Sequence, residues 1–283
     1  MVTIGVTEDE KASRQLTASH LAAATAAINA DGIVVLENVV DPAHLAVLKE
    51  QMLADVDEIL RRPDLPIQFT AGNIQQDPPP FPEYLFRDIL VNDLVISVTK
   101  SLLGTGLTND FYSGNTNLPG SGGQPVHADE GQLWPNLPSA HPPVRLVVNV
   151  PVVDMDERNG STELWPGTHL DTTVSTQADS IRVPLDVLEA RRAVSPPYQP
   201  SVKAGSVLIR DIRVWHRGTP NYSDKPRPMI AMIHNISWWR GATMVFPKGT
   251  EEFLSHPDLR SSAEFVDAPI DYLHRHEAYD VQK

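Results

Sequence analysis

No cysteine occurs among the 283 residues. That excludes disulfides, iron–sulfur clusters, thiolate zinc sites and a cysteine nucleophile, and it fits a reducing compartment. Long apolar runs are also missing. The longest, Val144–Val153, is interrupted by Arg145 and Asn149 and falls far short of the ~20 residues that span a bilayer. The N-terminal ten residues have no basic region followed by an apolar core, so they do not read as a signal peptide, and a cytoplasmic protein is expected. Basic residues are outnumbered, 23 against 36 acidic ones, leaving a net charge of −13. Such a field repels nucleic acid and anionic membranes. The expected partner is a small molecule, and a homodimer is the self-association left open. With 41% hydrophobic and 21% charged residues, the composition is that of a globular chain rather than a disordered one.

What is present falls into helices first and strands after. Thr17 or Ser19 caps an alanine-rich helix that stops before Asp31-Gly32. The β-branched segment Gly32–Val40 reads as a buried strand. Asp41-Pro42 opens a helix to about Leu60, with Leu45, Leu48, Met52, Val56, Ile59 and Leu60 at helical spacing. Prolines crowd residues 63–82, which predicts a long loop of the kind that covers binding sites, and a helix over Phe86–Leu103 follows. From Gly106 onward, short β-like runs alternate with Gly, Pro, Asn and Asp: Leu107–Tyr112, Val144–Val153, Thr162–Trp165, Ser206–Arg210, Arg213–His216 and Met229–Trp238. This cadence predicts an α+β fold, an antiparallel barrel or sandwich with helices in front, in one domain over 1–283. Residues 249–283 read as an irregular extension.

The sharpest chemical signal is His127-Ala128-Asp129. On a strand, residues i and i+2 share a face, so an imidazole and a carboxylate would project together. A second His-x-Asp, His256-Pro257-Asp258, lies in a polar turn-like stretch and reads as surface. The first pair gains a partner in His216, at the end of a β-run beside Gly218. Two imidazoles and one carboxylate are the facial triad of non-haem Fe(II) oxygenases. Eleven residues after His216 stands Arg227, whose planar fork can hold a carboxylate bidentately in a way Lys225 cannot.

In these residues the sequence resembles the phytanoyl-CoA dioxygenase family of Fe(II)/2-oxoglutarate oxygenases. In that family a His-x-Asp precedes a distal His, and an Arg eleven residues later binds the far carboxylate of 2-oxoglutarate. The segment Asp31–Val40 and the run from Asn159-Gly160 to Pro166-Gly167-Thr168-His169 match further family patterns, so the resemblance covers about residues 18–245. It implies a double-stranded β-helix (jelly-roll, cupin-like) core with N-terminal helices packed on it. It also implies Fe(II), with 2-oxoglutarate and O2 as co-substrates. His127, Asp129 and His216 would be the metal ligands, Arg227 the carboxylate anchor, and Thr162 a co-substrate contact. Gln124, Gln132 and Asn149 are the candidates for the metal-side end of 2-oxoglutarate.

The expected reaction is oxidation of a C–H bond in a small, partly hydrophobic molecule, of the kind seen in secondary metabolism, with release of succinate and CO2. Rival readings are an acyl-CoA or amino-acid hydroxylase of primary metabolism, for which Arg61-Arg62 or Arg191-Arg192 would be the phosphate sites, and a non-catalytic jelly-roll binding protein. Substrate choice is expected from the loop over 63–82, with Phe69 and Ile74 as apolar contacts, and from Gln132 and Trp134 near the metal ligands. Trp238-Trp239 reads as packing, and His274–Glu277 as surface.

Overall fold

The computed structural model describes residues 1–175 and 180–280. Strand β1 (Val2–Gly5) and helix α1 (Glu8–Ser13) come first, and a reciprocal capping box between Thr7 and Glu10 starts α1. Helix α2 (Ala18–Asp31) is capped by Thr17 and stops at Gly32, whose φ is 78°. A Cβ at Gly32 would lie 2.5 Å from Val214 and 2.7 Å from His169, so this end of the helix needs glycine for space as well as for handedness. Strand β2 (Ile33–Glu37) leads into α3 (Pro42–Ile59), capped by Asp41 with Pro42 at its first position.

The proline-rich stretch holds more structure than a loop. Within it β3 (Asn73–Gln75) pairs with the sheet edge, and Pro78, Pro79 and Pro80 are buried. The helix expected over 86–103 is two, α4 (Arg87–Leu90) and α5 (Asp93–Leu103). The chain breaks between them because the Asn92 side chain accepts from the backbone N–H of Leu94 and Val95 and so starts a new helix.

Strands β4 (Leu107–Asn117), β5 (Arg145–Pro151) and β6 (Glu163–Leu164) follow, then α6 (Leu185–Val194). Strands β7 (Val207–Asp211), β8 (His216–Arg217) and β9 (Arg227–Asn235) complete the centre of the fold. A single strand was expected over Arg213–His216, but the chain turns at 212–215. Asp211 fixes that turn by accepting from the backbone N–H and the guanidinium of Arg213. The run expected to reach Trp238 stops at Asn235, so Trp238 and Trp239 lie beyond the strand. The C-terminal part contains β10 (Met244–Pro247), α7 (Glu251–Leu254), β11 (Leu259–Ser261) and β12 (Ala263–Val266). Their partners are distant in sequence: β11 joins β4, and β12 pairs with β10.

The large sheet runs β1-β2-β7-β5-β9-β4-β11, with β3 also on β4. Side-chain alternation splits it into two faces. Leu146, Val148 and Val150 of β5 and Ile230 and Met232 of β9 join Ile28, Leu48, Met52 and Val95 of the helices in the main core. Arg145, Val147 and Asn149 face the other way, into a cavity. Opposite lies a small sheet built from β6 and β8, extended by bridges from β6 to Tyr198 and from β8 to His127. The result is a two-sheet jelly roll with helices on one outer face.

One buried titratable group ties the helices to the sheet. His234 on β9 is 2% exposed and shares a 2.9 Å hydrogen bond with Thr99 of α5. Burial, helped by nearby His256, pushes its pKa down to about 3. An unfolded histidine titrates near ~6.5, so between about 6.5 and 3 the unfolded state takes up a proton that the folded state refuses. Stability therefore falls with pH across that window, by up to ~1.4 kcal/mol per pH unit for this group. His234→Gln is expected to flatten the slope of unfolding free energy against pH by about one proton, as measured by urea denaturation at a series of pH values.

Candidate active site

The two histidines meet through the small sheet. His127 and His216 exchange backbone hydrogen bonds of 3.0 and 2.8 Å, and their rings lie 4.5 Å apart. Each ring is oriented by a carbonyl two residues earlier: His127 Nδ1 donates to Pro125 O at 2.8 Å, and His216 Nδ1 to Val214 O at 3.0 Å. A carbonyl only accepts, so Nδ1 carries the hydrogen and Nε2 keeps its lone pair. Burial, reinforced by His216, pushes the pKa of His127 down to about 3 and keeps that lone pair free of protons. Asp129 completes the group. Its Oδ1 lies 3.4 Å from His216 Nε2 and 3.9 Å from His127 Nε2. Among the described residues this is the one cluster with the composition and spacing of a metal site.

Arg210 is the residue that sequence reasoning missed. It projects from β7, 5% exposed, and its Nη2 donates to Asp129 Oδ2 at 2.5 Å. Burial alone would raise the Asp129 carboxyl, but the Arg210 guanidinium, followed by His216, outweighs it and holds the group well below the usual carboxylate range. Asp129 is thus ionised and aimed, with its Oδ1 left toward the histidines. The available signal was an arginine at the end of an otherwise apolar, β-branched run.

Both sheets line a cavity of about 300 Å³. Arg227 lies at one end, 2% exposed, with Nη2 donating to Gly160 O at 2.9 Å, Nη1 3.8 Å from Met155 Sδ, and Nε unpartnered. Gly160 is itself constrained: at φ 76°, a Cβ would sit 2.3 Å from Asn117. No carboxylate pairs with Arg227 among the described residues. Burial pushes its pKa down to about 10, which leaves it charged at neutral pH. A buried guanidinium without a carboxylate is costly.

The remaining expected residues separate cleanly. Thr162, Asn149, Gln124 and Phe69 line the cavity, and the Phe69 ring stands 4.3 Å from that of His127. Gln124 is tied at both ends of its amide, donating to Gln68 O and accepting from Gly218 N. Ile74 does not line the cavity. It is 1% exposed on β3 between Asn73 and Gln75, which do, so alternation points it the other way. Gln132 is also outside. It is 1% exposed, with Nε2 donating to the carbonyls of His169 and Asp171 and Oε1 accepting from Arg213. Trp134 is 53% exposed and stacks edge-on with His141, away from the cavity.

Two histidines expected at the surface are engaged. His256 contacts Asp93 at 3.0 Å, and His276 contacts buried Asp77 at 2.6 Å. His276 belongs to a C-terminal strap. Arg62 donates to the carbonyls of Leu273 and His276, and Tyr279 exchanges backbone hydrogen bonds with Ile67 and Phe69. The strap pins the segment that carries Phe69. A larger surface groove of about 670 Å³, between α1 and α5, has mixed charges and no metal-ligating set.

If Arg227 waits for an anion, removing its charge should stabilise the empty protein. Arg227→Met is expected to raise unfolding free energy by about 1–3 kcal/mol, the scale of one unsatisfied buried polar group. It should also abolish any rise in melting temperature on adding 2-oxoglutarate. Urea and thermal denaturation with and without the dicarboxylate check both.

The family model for phytanoyl-CoA dioxygenase (PhyH) matches residues 28–229. The dioxygenase af480 of Aspergillus fumigatus is 29% identical over 184 residues, covering 62% of this chain and 53% of that protein, so the chain spans about half the length of this curated relative. Among solved structures, AviO1 from Streptomyces viridochromogenes aligns with a TM-score of 0.56 at 22% identity, covering 78% of this chain and 97% of that one. The non-heme alpha-ketoglutarate-dependent epimerase SnoN from nogalamycin biosynthesis aligns with a TM-score of 0.58 at 16% identity, covering 78% and 84%. Both likenesses are of fold. The family match runs from α2 into β9, through both histidines, Asp129 and Arg227, and the chain belongs to the phytanoyl-CoA dioxygenase family.

Proposed function

We propose that the protein is a non-haem Fe(II)/2-oxoglutarate-dependent dioxygenase that oxidises a C–H bond of a small, partly hydrophobic molecule in secondary metabolism. The observation that carries this reading is Arg227, buried and without a carboxylate, in the same cavity as three convergent metal-ligating groups. The donor set suits the metal: two imidazoles whose Nε2 atoms converge on one ionised carboxylate. The orphaned Arg227 Nε suits the far carboxylate of 2-oxoglutarate. When bound, iron, O2 and 2-oxoglutarate would supply the oxidant for the C–H bond, with succinate and CO2 released.

The chain's own residues hold and shield that chemistry. His127, Asp129 and His216 would take one face of the metal and leave the other open to the cavity. Arg210 keeps Asp129 ionised, while Thr162 and Asn149 lie in the cavity wall where they can meet the co-substrate. Phe69, tilted against the His127 ring and braced by Tyr279, keeps water from that side. An acyl-CoA substrate finds little support. Arg62 is occupied by Asp64 and the C-terminal strap, and Arg191 donates to Pro166 O, so neither arginine pair is free for phosphates. A secondary-metabolic role agrees with SnoN and the carbocyclase SnoK, both from nogalamycin biosynthesis.

Anaerobic addition of Fe(II) and then 2-oxoglutarate is expected to produce a visible charge-transfer absorption that His216→Ala abolishes. Charge-assisted hydrogen bonds contribute about 1.5–3 kcal/mol, so Arg227→Ala should weaken 2-oxoglutarate by roughly 10- to 150-fold. Arg227→Lys should recover only part of this. No absorption from the wild-type protein, or full affinity in Arg227→Ala, would reject the reading in favour of a non-catalytic jelly roll.

A further inference from the structure

The cavity continues past the metal-ligating groups on the side away from Arg227, and strand register fixes what lines it. Along β9 the cavity-facing residues are Arg227, Met229, Ala231 and Ile233, and along β5 they are Asn149, Val147 and Arg145. Asn149 pairs with Ala231 and Val147 with Ile233. Arg210, which reaches Asp129, pairs with Val147. The triad therefore sits toward the Arg145 end, level with Val147 and Ile233, and Arg227 lies toward the other end. From Arg227 to Ile233 is six residues, about 20 Å of strand. The far end is walled by Phe111, Val147, Ile212 and Ile233, and the polar pair set among them is Arg145 with Glu130.

That pair is held in place from several sides. Arg145 is 9% exposed, and its Nε donates to Asn235 Oδ1 at 2.7 Å. Its Nη1 donates to Glu130 Oε1, its Nη2 lies 3.6 Å from Asp110, and the guanidinium carbon stands 4.5 Å from the centre of the Trp239 ring. The guanidinium cannot turn without breaking contacts to β9, β4 and Trp239 together. Glu130 is less enclosed, with 20% of its side chain exposed, and both residues line the cavity. A guanidinium beside a carboxylate offers an N–H donor next to an acceptor, and their charges cancel.

We propose that Arg145 and Glu130 orient the substrate, and that the substrate is an apolar, ring-sized molecule bearing a carboxamide or lactam. The inference rests on the oxygenase reading, because the triad sets where the reacting C–H bond must lie. An amide carbonyl accepts from Arg145 while its N–H donates to Glu130, so one planar neutral group satisfies both. A carboxylate at Arg145 would face Glu130 and Asp110, two like charges. An ammonium at Glu130 would face Arg145. A hydroxyl accepts and donates through one freely rotating oxygen, whereas the planar amide offers separate acceptor and donor atoms, one for each side chain. The apolar walls take the ring system and hold its carbons beside the triad, which shares their strand level.

The test uses the full chain with Mn(II) and N-oxalylglycine, an inert 2-oxoglutarate analogue, and three probes that share one ring system: 2-naphthamide, 2-naphthoate and 2-naphthylmethylammonium. Titration calorimetry is expected to rank the amide at least tenfold above either ion. Glu130→Ala should erase that preference and strengthen naphthoate, because Arg145 loses its nearest anion. Arg145→Lys, which keeps the charge and spares the fold, should weaken the amide by about tenfold through loss of the fork. Tightest binding by naphthoate or the ammonium, unchanged preference in Glu130→Ala, or no binding by any probe overturns the proposal. The ranking is read with and without N-oxalylglycine. Failure of Mn(II) and N-oxalylglycine to bind the wild-type protein therefore rejects the oxygenase reading separately.

Discussion

Two backbone hydrogen bonds, exchanged between His127 and His216, are the contact on which the site depends. They join residues 89 positions apart and set both rings on one short ladder at a fixed spacing. The carbonyls of Pro125 and Val214 then choose the tautomer of each ring, so orientation and lone pair are settled by backbone alone. Further elements secure the ladder from behind: Trp165 N donates to Trp215 O, and Trp215 N to Thr168 Oγ1, with both indoles fully buried. The candidate metal-ligating rings are thus oriented by the protein's own backbone.

The polar interior opposite is possible because the large sheet buries its other face against helices. Four arginine and asparagine side chains, Arg145, Asn149, Arg210 and Arg227, point inward from strands whose other face puts Leu146, Val148, Val150, Ile209, Ile230 and Met232 into the core. The helix side supplies the apolar burial that stabilises the strands. The cavity side can then carry groups that are costly until a ligand meets them. Arg210 and Arg227 illustrate two outcomes for one residue type. Arg210 finds Asp129, and Arg227 finds a carbonyl and a thioether and keeps an unpaired nitrogen.

The proline-rich segment fits this scheme as a fixed wall. Pro66, Pro78, Pro79 and Pro80 pack inward, β3 is hydrogen-bonded to β4, and the C-terminal strap ties Ile67 and Phe69 from outside. The Arg182–Asp280 ion pair adds a further tie at the rim, with the Arg182 guanidinium 5.9 Å from the centre of the Phe69 ring. Phe69 itself has φ 62°, a left-handed conformation uncommon for an aromatic residue. That conformation turns its ring toward His127.

Local chemistry made much of the chain legible. Caps at Thr17 and Asp41, glycine at 32 and short β-branched apolar runs placed α2, α3, β2, β5 and β7, because each signal acts within a few residues. The spacing of His127, Asp129, His216 and Arg227 marked the candidate site for the same reason: side-chain type and sequence separation were enough. The structure itself joined two motifs read separately, since Gly32 leaves room for His169 of the Pro-Gly-Thr-His corner. Only the tertiary structure decided the rest. Arg210 and Arg145 looked like ordinary strand residues until the register fixed which face they share with the triad. Gln132 and Trp134 lie close to Asp129 in sequence, yet one is locked to Arg213 and the other faces solvent. The C-terminal strands and strap were invisible because their partners lie many residues away, and hydrogen bonds between distant segments leave no local pattern in either.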